Sequence, residues 1–440
     1  MFSLDIRPPS APSSPQLVWC LLVEGRRRVI GVTAGFLLPQ KRLALRRKLL
    51  SLGLVHLLTL SAPLAYTSPT GDPSSLEPGS YLVEDRNAWE LAYLSTPGTA
   101  RVNTVVGTGI LSAGCAPGRV LLIRPGGLGA LMFVGCVVRE IKHRWPESVV
   151  AVSCAPGGAE VFRGMPYPDA IEPYPLPADR LKEYDVVIPL EGATEYGPDA
   201  TRLHAADAFA RAAGIELPEA DAARVPAFCV SELEREAILL RYPRSARPRL
   251  ALQVFGSAAA RSYPLDLTKQ LVGKLTGRGW EVMLLGLPGT VPGENSREDL
   301  SMGVINCAHD RLSFRESAAV VATSDAVLAP DSVWTHVAGA LGLPAVALYG
   351  SESWMLRTRF YRRTFALTSG KCPLAPCHHW PKNPMHYPEN GPCAKTGQCE
   401  EMRWNGGTES REVPAGEGKT RIVQVPGVGR IFAAVERLRP

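Results

Sequence analysis

Residues 324–350, SDAVLAPDSVWTHVAGALGLPAVALYG, leave this chain few folds to choose from. Residues 326–329 form a short, wholly apolar run that stops at Pro330-Asp331-Ser332. Asp and Ser at that point suit the start of a helix, predicted over 334–341 with Val337, Ala338 and Ala340 on its apolar face. Gly342-Leu343-Pro344 breaks the helix, and 345–350 is a second apolar strand. The stretch is a strand–helix–strand unit with Asp331, Ser332 and His336 gathered at the first turn of its helix. In an open α/β sheet, ligands bind beyond the carboxyl ends of the strands, and a helix N-terminus there favours negative charge. An ordinary capped βαβ unit produces the same pattern, so the wider chain decides between the two.

The same alternation runs through most of the chain. A strand at 120–123 leads through a glycine loop into a helix at 130–144, followed by strands at 148–153 and 184–190 and a helix at 204–214. A polar, Pro-marked segment at 242–248 reads as a linker. Strand 250–255, helix 267–277, strand 281–285 and helix 313–322 then lead into the opening unit. Strands alternating with helices imply doubly wound parallel sheets, here two Rossmann-like domains at 118–240 and 247–365. Two such domains facing each other would make a ligand cleft.

Residues 1–117 form an N-terminal extension of different character. Its first 50 residues hold nine Lys or Arg against Asp5 and Glu24, more than the whole chain's net +6, so the remainder is close to neutral. That balance argues against a general polyanion-binding surface and for one local basic element. Apolar runs at 17–23 and 29–38 flank Arg26-Arg27-Arg28 and suit a hairpin. Residues 41–66, basic in front and apolar behind, have the layout of a signal peptide but begin 40 residues in. The apolar part is short for a membrane span; a helix lying on a membrane surface or packed on the body is expected. Residues 67–117 read as a linker and a small element.

Gly127-Leu128-Gly129 supplies part of a dinucleotide-binding loop, but the third glycine position is Met132, and the next strand lacks the acidic residue that would hold a ribose. What remains is a loop where a substrate can approach the backbone closely at a helix N-terminus. Six cysteines (20, 115, 136, 154, 229 and 307) are scattered singly, as in a reducing compartment.

Three stretches together resemble glycosyltransferase family 9, the heptosyltransferase-like enzymes of lipopolysaccharide assembly. RPGGLGALMFVGCVVREIK is similar to the family's opening strand, loop and helix. Phe255-Gly256-Ser257 through Arg261-Ser262-Tyr263-Pro264 is similar to its donor loop, and DSVWTHVAGALGLPAVALYG to its third motif. The resemblance implies a GT-B fold, with the acceptor on the N-terminal domain and the nucleotide-diphosphate sugar on the C-terminal one. It implies inverting, metal-independent transfer of a heptose-like sugar, from ADP-heptose or a similar donor, to a lipopolysaccharide core or other bacterial glycan. Work at the cytoplasmic face of the inner membrane would follow, with peripheral membrane contact and no nucleic acid partner. Arg261 matches the family's basic residue, suited to stabilising the leaving diphosphate. Ser257, Asp331, Ser332 and His336 match donor-contacting positions, and Gly127, Leu128 and Gly129 the acceptor-side loop.

Two positions depart from the family. The Asp that follows Gly-Leu-Gly, the general base, is here Ala130, which takes no proton. The glycine that follows Asp-Thr/Ser is here Val333. The base then comes from elsewhere (Glu191, Glu195 and Asp207 are candidates), or the chain is a catalytically impaired sugar-nucleotide or glycan binder on the same fold. A sugar-nucleotide epimerase is a further reading.

Residues 366–402 are a Cys/His-rich insertion: Cys372, Cys377, Cys393 and Cys399 with His378, His379 and His386. So small a loop-rich segment builds no core of its own. Structural zinc, disulfides and free thiols are all open, since these spacings are not the usual zinc knuckles. The tail, 403–440, ends in a predicted helix at 430–438.

Overall fold

In the computed structural model, the apolar runs predicted as parallel strands pair into two separate sheets, one in each of two units, Met1–Arg224 and Val225–Pro440. The structure describes residues 54–68, 73–84, 91, 94–96, 99–106, 116–195, 199–255, 261–286, 304–308, 310–368 and 428–440, and the strand pairing of 3–4, 17–23, 26–33, 408–414 and 420–426.

The first unit begins with eight strands: β1 (Ser3–Leu4), β2 (Leu17–Val23), β3 (Arg26–Thr33), β4 (Leu54–Leu60), β5 (Leu64–Thr67), β6 (Pro73–Leu76), β7 (Gly79–Glu84) and β8 (Ala100–Val106). The α/β portion follows as β9 (Arg119–Ile123), α1 (Leu128–Arg144), β10 (Val149–Cys154), α2 (Pro156–Ala159), β11 (Ala170–Pro173), β12 (Leu176–Pro177), β13 (Val186–Pro189) and α3 (Ala205–Ala212). Its parallel sheet has the order β11-β10-β9-β13.

The expected hairpin at 17–38 is present as β2 and β3, paired from Leu17 opposite Thr33 to Val23 opposite Arg26, so the three arginines lie in a strand. The helix expected over 41–66 is not there: 54–60 and 64–67 are strands, and 41–53 lie outside the described residues. His56, Leu58 and Leu60 are buried while Leu57 and Thr59 between them are half-buried, the period of two that a sheet imposes. Pairing with β7 and β8 on either side overrides the helical preference of the leucines.

These strands build an antiparallel sheet, β1-β8-β4-β7-β12, that recruits β12 from the α/β portion. Leu58, Leu60, Leu82 and Val83 share one core with Leu121, Ile123, Ala151 and Val187 of the parallel sheet. Leu121 and Ile123 alternate along β9 with Val120 and Leu122, which face the other way. The extension therefore covers one face of the first parallel sheet, and the expected double winding by helices is replaced there by sheet on sheet.

The second unit contains α4 (Glu232–Arg241), β14 (Arg249–Leu252), α5 (Leu265–Gly277), β15 (Glu281–Leu284), β16 (Val304–Asn306), α6 (Phe314–Ala322), β17 (Ala326–Pro330), α7 (Val333–Ala340), β18 (Ala345–Leu348), β19 (Thr364–Leu367), β20 (Thr408–Pro414), β21 (Thr420–Pro426) and α8 (Val428–Glu436). Six strands in the order β16-β15-β14-β17-β18-β19 pair in parallel. Leu250, Leu252, Leu328, Val346 and Leu348 share a core with Leu267, Leu271 and Leu275 of α5 and Ile431 and Val435 of α8. The predicted terminal helix thus packs back onto the sheet, and Trp280 Nε1 donates to Glu436 Oε1 at 2.6 Å. Burying Ile431 and Val435 fully stabilises this docking by roughly 2 kcal/mol each. α6 and α7 take the opposite face, so this sheet is wound on both sides.

Local sequence sets the helix starts. Ser231 with Glu234, and Ser313 with Glu316, form capping boxes at α4 and α6. Arg315 then grips Glu234 through two bonds of 2.7 Å and donates to Cys229 O, tying α6 to the segment before α4. Among the described residues, no helix is long and apolar enough to cross a membrane.

Candidate functional site

The carboxyl edge of the second sheet gathers most of the predicted donor residues. Along β14, β17 and β18 the even-numbered residues face α5 and α8, so Gln253, Asp331 and Tyr349, at odd positions just beyond the strand ends, point to the face of α7. Asp331 stays in the ladder through its N–H, which donates to Leu348 O at 3.1 Å. Arg261, carried back by the segment that follows β14, places Nη1 3.4 Å from the Asp331 carbonyl oxygen.

Burial pushes the Asp331 carboxyl above its ordinary value; the positive charges of Arg357 and Arg261 oppose this, and Glu352 adds to it. Arg357 is itself buried and donates to Glu352 Oε2 at 3.1 Å. Tyr349, fully buried, donates to Thr358 Oγ1 at 3.1 Å. Two guanidinium groups and two carboxylates therefore share one largely desolvated strand edge.

Ser332 is the N-cap of α7 as the sequence suggests, with extended backbone (φ −151°, ψ 171°), yet its side chain makes no capping bond. Ser332 Oγ is shut off from solvent with no hydrogen-bond partner among the described residues, and the same holds for Gln253 Oε1 and Ser351 Oγ. Each such group costs about 1–3 kcal/mol. Three of them beyond three neighbouring strands, beside a helix N-terminus and two guanidinium groups, make an edge prepared to hydrogen-bond an anionic, oxygen-rich molecule. Trp334 holds the start of α7 in place by stacking on Phe314 of α6 (5.4 Å between centroids, 26° between planes).

His336, one turn further, is buried, and its Nδ1 lies 2.9 Å from the Tyr361 hydroxyl. A Cβ at Gly339 would come within 2.4 Å of the Tyr361 ring, so glycine is what lets that ring lie on the helix and reach the histidine. Ser257 lies outside the described residues.

In the first unit, Gly127 caps α1 in the left-handed region (φ 77°), a conformation that favours glycine. Leu128 and Gly129 open the helix, and Ala130 in the same turn is half-buried. The loop is braced from below by Arg124. Its Nε donates to Gly126 O at 3.0 Å, Nη1 and Nη2 grip Glu195 at 3.2 and 2.6 Å, and its guanidinium lies over the Phe209 ring at 5.5 Å.

Of the three candidate bases, Glu195 is therefore committed to the loop. Asp207 is gripped by Arg224 through two contacts of 2.9 Å. Glu191 stands just beyond β13, whose next residue, Leu190, bonds to the end of β9 where the glycine loop begins.

Gln253, Tyr361 and the 351–357 segment went unnoticed in the sequence, and Arg124 stands there only as the first residue of the RPGGLG motif. Polar residues directly after apolar strands, such as Gln253 after Leu250-Ala251-Leu252, are the one local signal that marks part of this set. Cys372, Cys377, Cys393 and Cys399 lie outside the described residues, and among the described residues no three His, Cys, Asp or Glu side chains converge as a metal site.

Residues 203–386 match the family model of glycosyltransferase family 9 (heptosyltransferase), which bears out the likeness read from the motifs. Among curated proteins, none matches the chain by sequence. The structure of Escherichia coli ADP-heptose lipopolysaccharide heptosyltransferase II superposes with a TM-score of 0.52 at 16% identity, covering 73% of this chain and 98% of that one. A glycosyltransferase family 9 protein from Veillonella parvula gives 0.47 at 15% identity, covering 58% and 88%. The dodecameric iron-containing heptosyltransferase TibC, from enterotoxigenic E. coli, in complex with ADP-D-β-D-heptose gives 0.44 at 13%, covering 90% and 97%. The likeness to the first is one of fold, and it agrees with the two-sheet GT-B architecture expected from the sequence.

Proposed function

We propose that this chain is a family 9 glycosyltransferase that binds ADP-heptose or a similar nucleotide-diphosphate sugar on its second unit and transfers the sugar, with inversion, to a lipopolysaccharide core or other bacterial glycan held by its first. The observation that carries this reading is the carboxyl edge of the second sheet, where Arg261, Asp331 and Ser332 meet at the start of α7. As the bond from the anomeric carbon to the diphosphate breaks, negative charge builds on the departing oxygen. Arg261 and the N–H groups of α7 stabilise that charge, so catalysis needs no metal ion. The acceptor oxygen attacks from the opposite face and gives up its proton to a base. Ala130 is not that base. Glu191 takes the role here: it follows β13 directly, beside the end of β9 where the glycine loop begins.

Cys372, Cys377, Cys393 and Cys399 form, in this reading, a structural metal site of four thiolates, suited to zinc and separate from the reaction. Metal analysis of the purified protein tests it; stoichiometric iron or no metal at all would exclude zinc. The site of action is the cytoplasmic face of the inner membrane, where such acceptors lie.

The test is release of ADP from ADP-heptose with and without lipopolysaccharide core acceptor. Acceptor-dependent release that falls about a hundredfold in Arg261→Ala, at unchanged melting temperature, supports transfer. Ala130 favours one second reading, a binding protein on the same fold. Tight ADP-heptose binding with no release under any acceptor would establish it.

A further inference from the structure

Ser351 lies just past the motif that ends at Gly350 and has no role in the reading above. It lies two residues beyond Tyr349, where the chain leaves β18 and turns through Gly350 towards the Glu352–Arg357 ion pair. It is 2% exposed, and its Oγ meets no donor or acceptor among the described residues. Serine is small and indifferent to its surroundings when it can reach water or a carbonyl. Here it does neither, although alanine would fill the same space without stranding a hydroxyl.

Its neighbours show which way the unused hydroxyl serves. Asp331 hangs on Leu348 O one strand away, and Ser332 Oγ and Gln253 Oε1 are stranded in the same fashion beyond β17 and β14. The three polar atoms thus follow three consecutive strands at one edge, not scattered core positions. Adjacent strands lie about 4.8 Å apart, so three strand ends span about 10 Å, the scale of a sugar diphosphate. Next to Ser351 the buried Arg357 is tied to Glu352, which keeps the turn after Gly350 in place.

We propose that Ser351 is a donor-positioning residue, whose hydroxyl bonds an oxygen of the bound sugar diphosphate. The inference rests on the donor site proposed above and extends it from the β17–α7 turn to the end of β18.

The experiment compares the full-length chain with Ser351→Ala, measuring melting temperature without ligand and calorimetric affinity for ADP and for ADP-heptose, with Ser353→Ala as a control on the same turn. The expected result for Ser351→Ala is an unchanged or higher melting temperature together with about tenfold weaker binding, and wild-type behaviour for Ser353→Ala. Weakening for both ligands places the bond on the diphosphate; weakening for ADP-heptose alone places it on the sugar. A lower melting temperature with unaltered affinity would overturn the proposal, because the hydroxyl would then serve the fold. Wild-type affinity in Ser351→Ala at any melting temperature would overturn it while leaving the donor site standing. Failure of the unmutated chain to bind either ligand would remove the donor site itself, and Ser351 with it.

Discussion

The two parallel sheets of this chain spend their polar residues in opposite ways. At the edge of the first, the charged side chains brace one another: Arg124 grips Glu195 beneath the glycine loop, and Arg224 grips Asp207. At the edge of the second, Ser332, Gln253 and Ser351 each hold a buried polar atom with no partner among the described residues, next to Arg261 and a carboxylate pushed above its ordinary value. The faces differ as well. The first sheet leans on an antiparallel sheet, the second on helices front and back. The contrast teaches that one edge is built to hold its own shape and the other is left unfinished for a ligand, at a cost in stability.

The largest effect should come from the face of the first sheet. Leu82→Ala opens a cavity in the core that the antiparallel sheet shares with β9 and is expected to cost about 3 kcal/mol, read as a lower denaturation midpoint. An unchanged midpoint would mean that the extension is an accessory and not part of the core.

The braces come next. Glu195→Gln leaves the Arg124 charge buried and poorly matched, with an expected loss of about 2 kcal/mol in a urea titration. Glu191→Gln should slow acceptor-dependent ADP release more than Glu195→Gln does. Reversed results for the two variants would exchange their roles and break the contrast at its first term.

A smaller effect of opposite sign is expected at the other edge. A carboxyl whose folded value is raised adds stability at acid pH that is lost as pH climbs through that value, so Asp331 costs the fold stability at the higher pH. Asp331→Asn should therefore raise the melting temperature at pH 7, by about 1 kcal/mol of stability, while weakening turnover. A lower melting temperature would show that the carboxylate is needed by the structure.

The smallest is a pH effect inside the second unit. Bonding to Arg315 brings the Glu234 carboxyl down to about 2 from an ordinary 4.5. The stability this supplies is fully present above the ordinary value and is lost as pH falls from there through about 2. Glu234→Gln should flatten that part of the stability profile, modestly, since the carboxylate is partly exposed and screened.

Much of this architecture is legible in the linear chain. Short, fully apolar strands such as residues 326–330 and 345–348 can only be interior strands, and the breaks at Pro330 and Gly342-Leu343-Pro344 set their ends. The helix read over 313–322 begins at Ser313, three residues ahead of the Glu316 that completes its capping box. These features depend on neighbours within a few positions, which is why they survive without a partner structure. The family motifs are legible for a similar reason: Asp331, Ser332 and His336 fall within six consecutive residues.

What only the tertiary structure decided is where long-range partners meet. Residues 54–60 read as a helix and became a strand, because β7 and β8 offered their backbones on both sides. Glu191, Glu195 and Asp207 are equivalent carboxylates in the sequence, and only the fold shows that Arg124 holds Glu195 and Arg224 holds Asp207. The stranded hydroxyl of Ser351 is invisible in Tyr-Gly-Ser-Glu, since its state depends on groups that the fold does not bring to it. Period and capping are local and can be read directly; satisfaction of a buried polar atom is a property of everything packed around it.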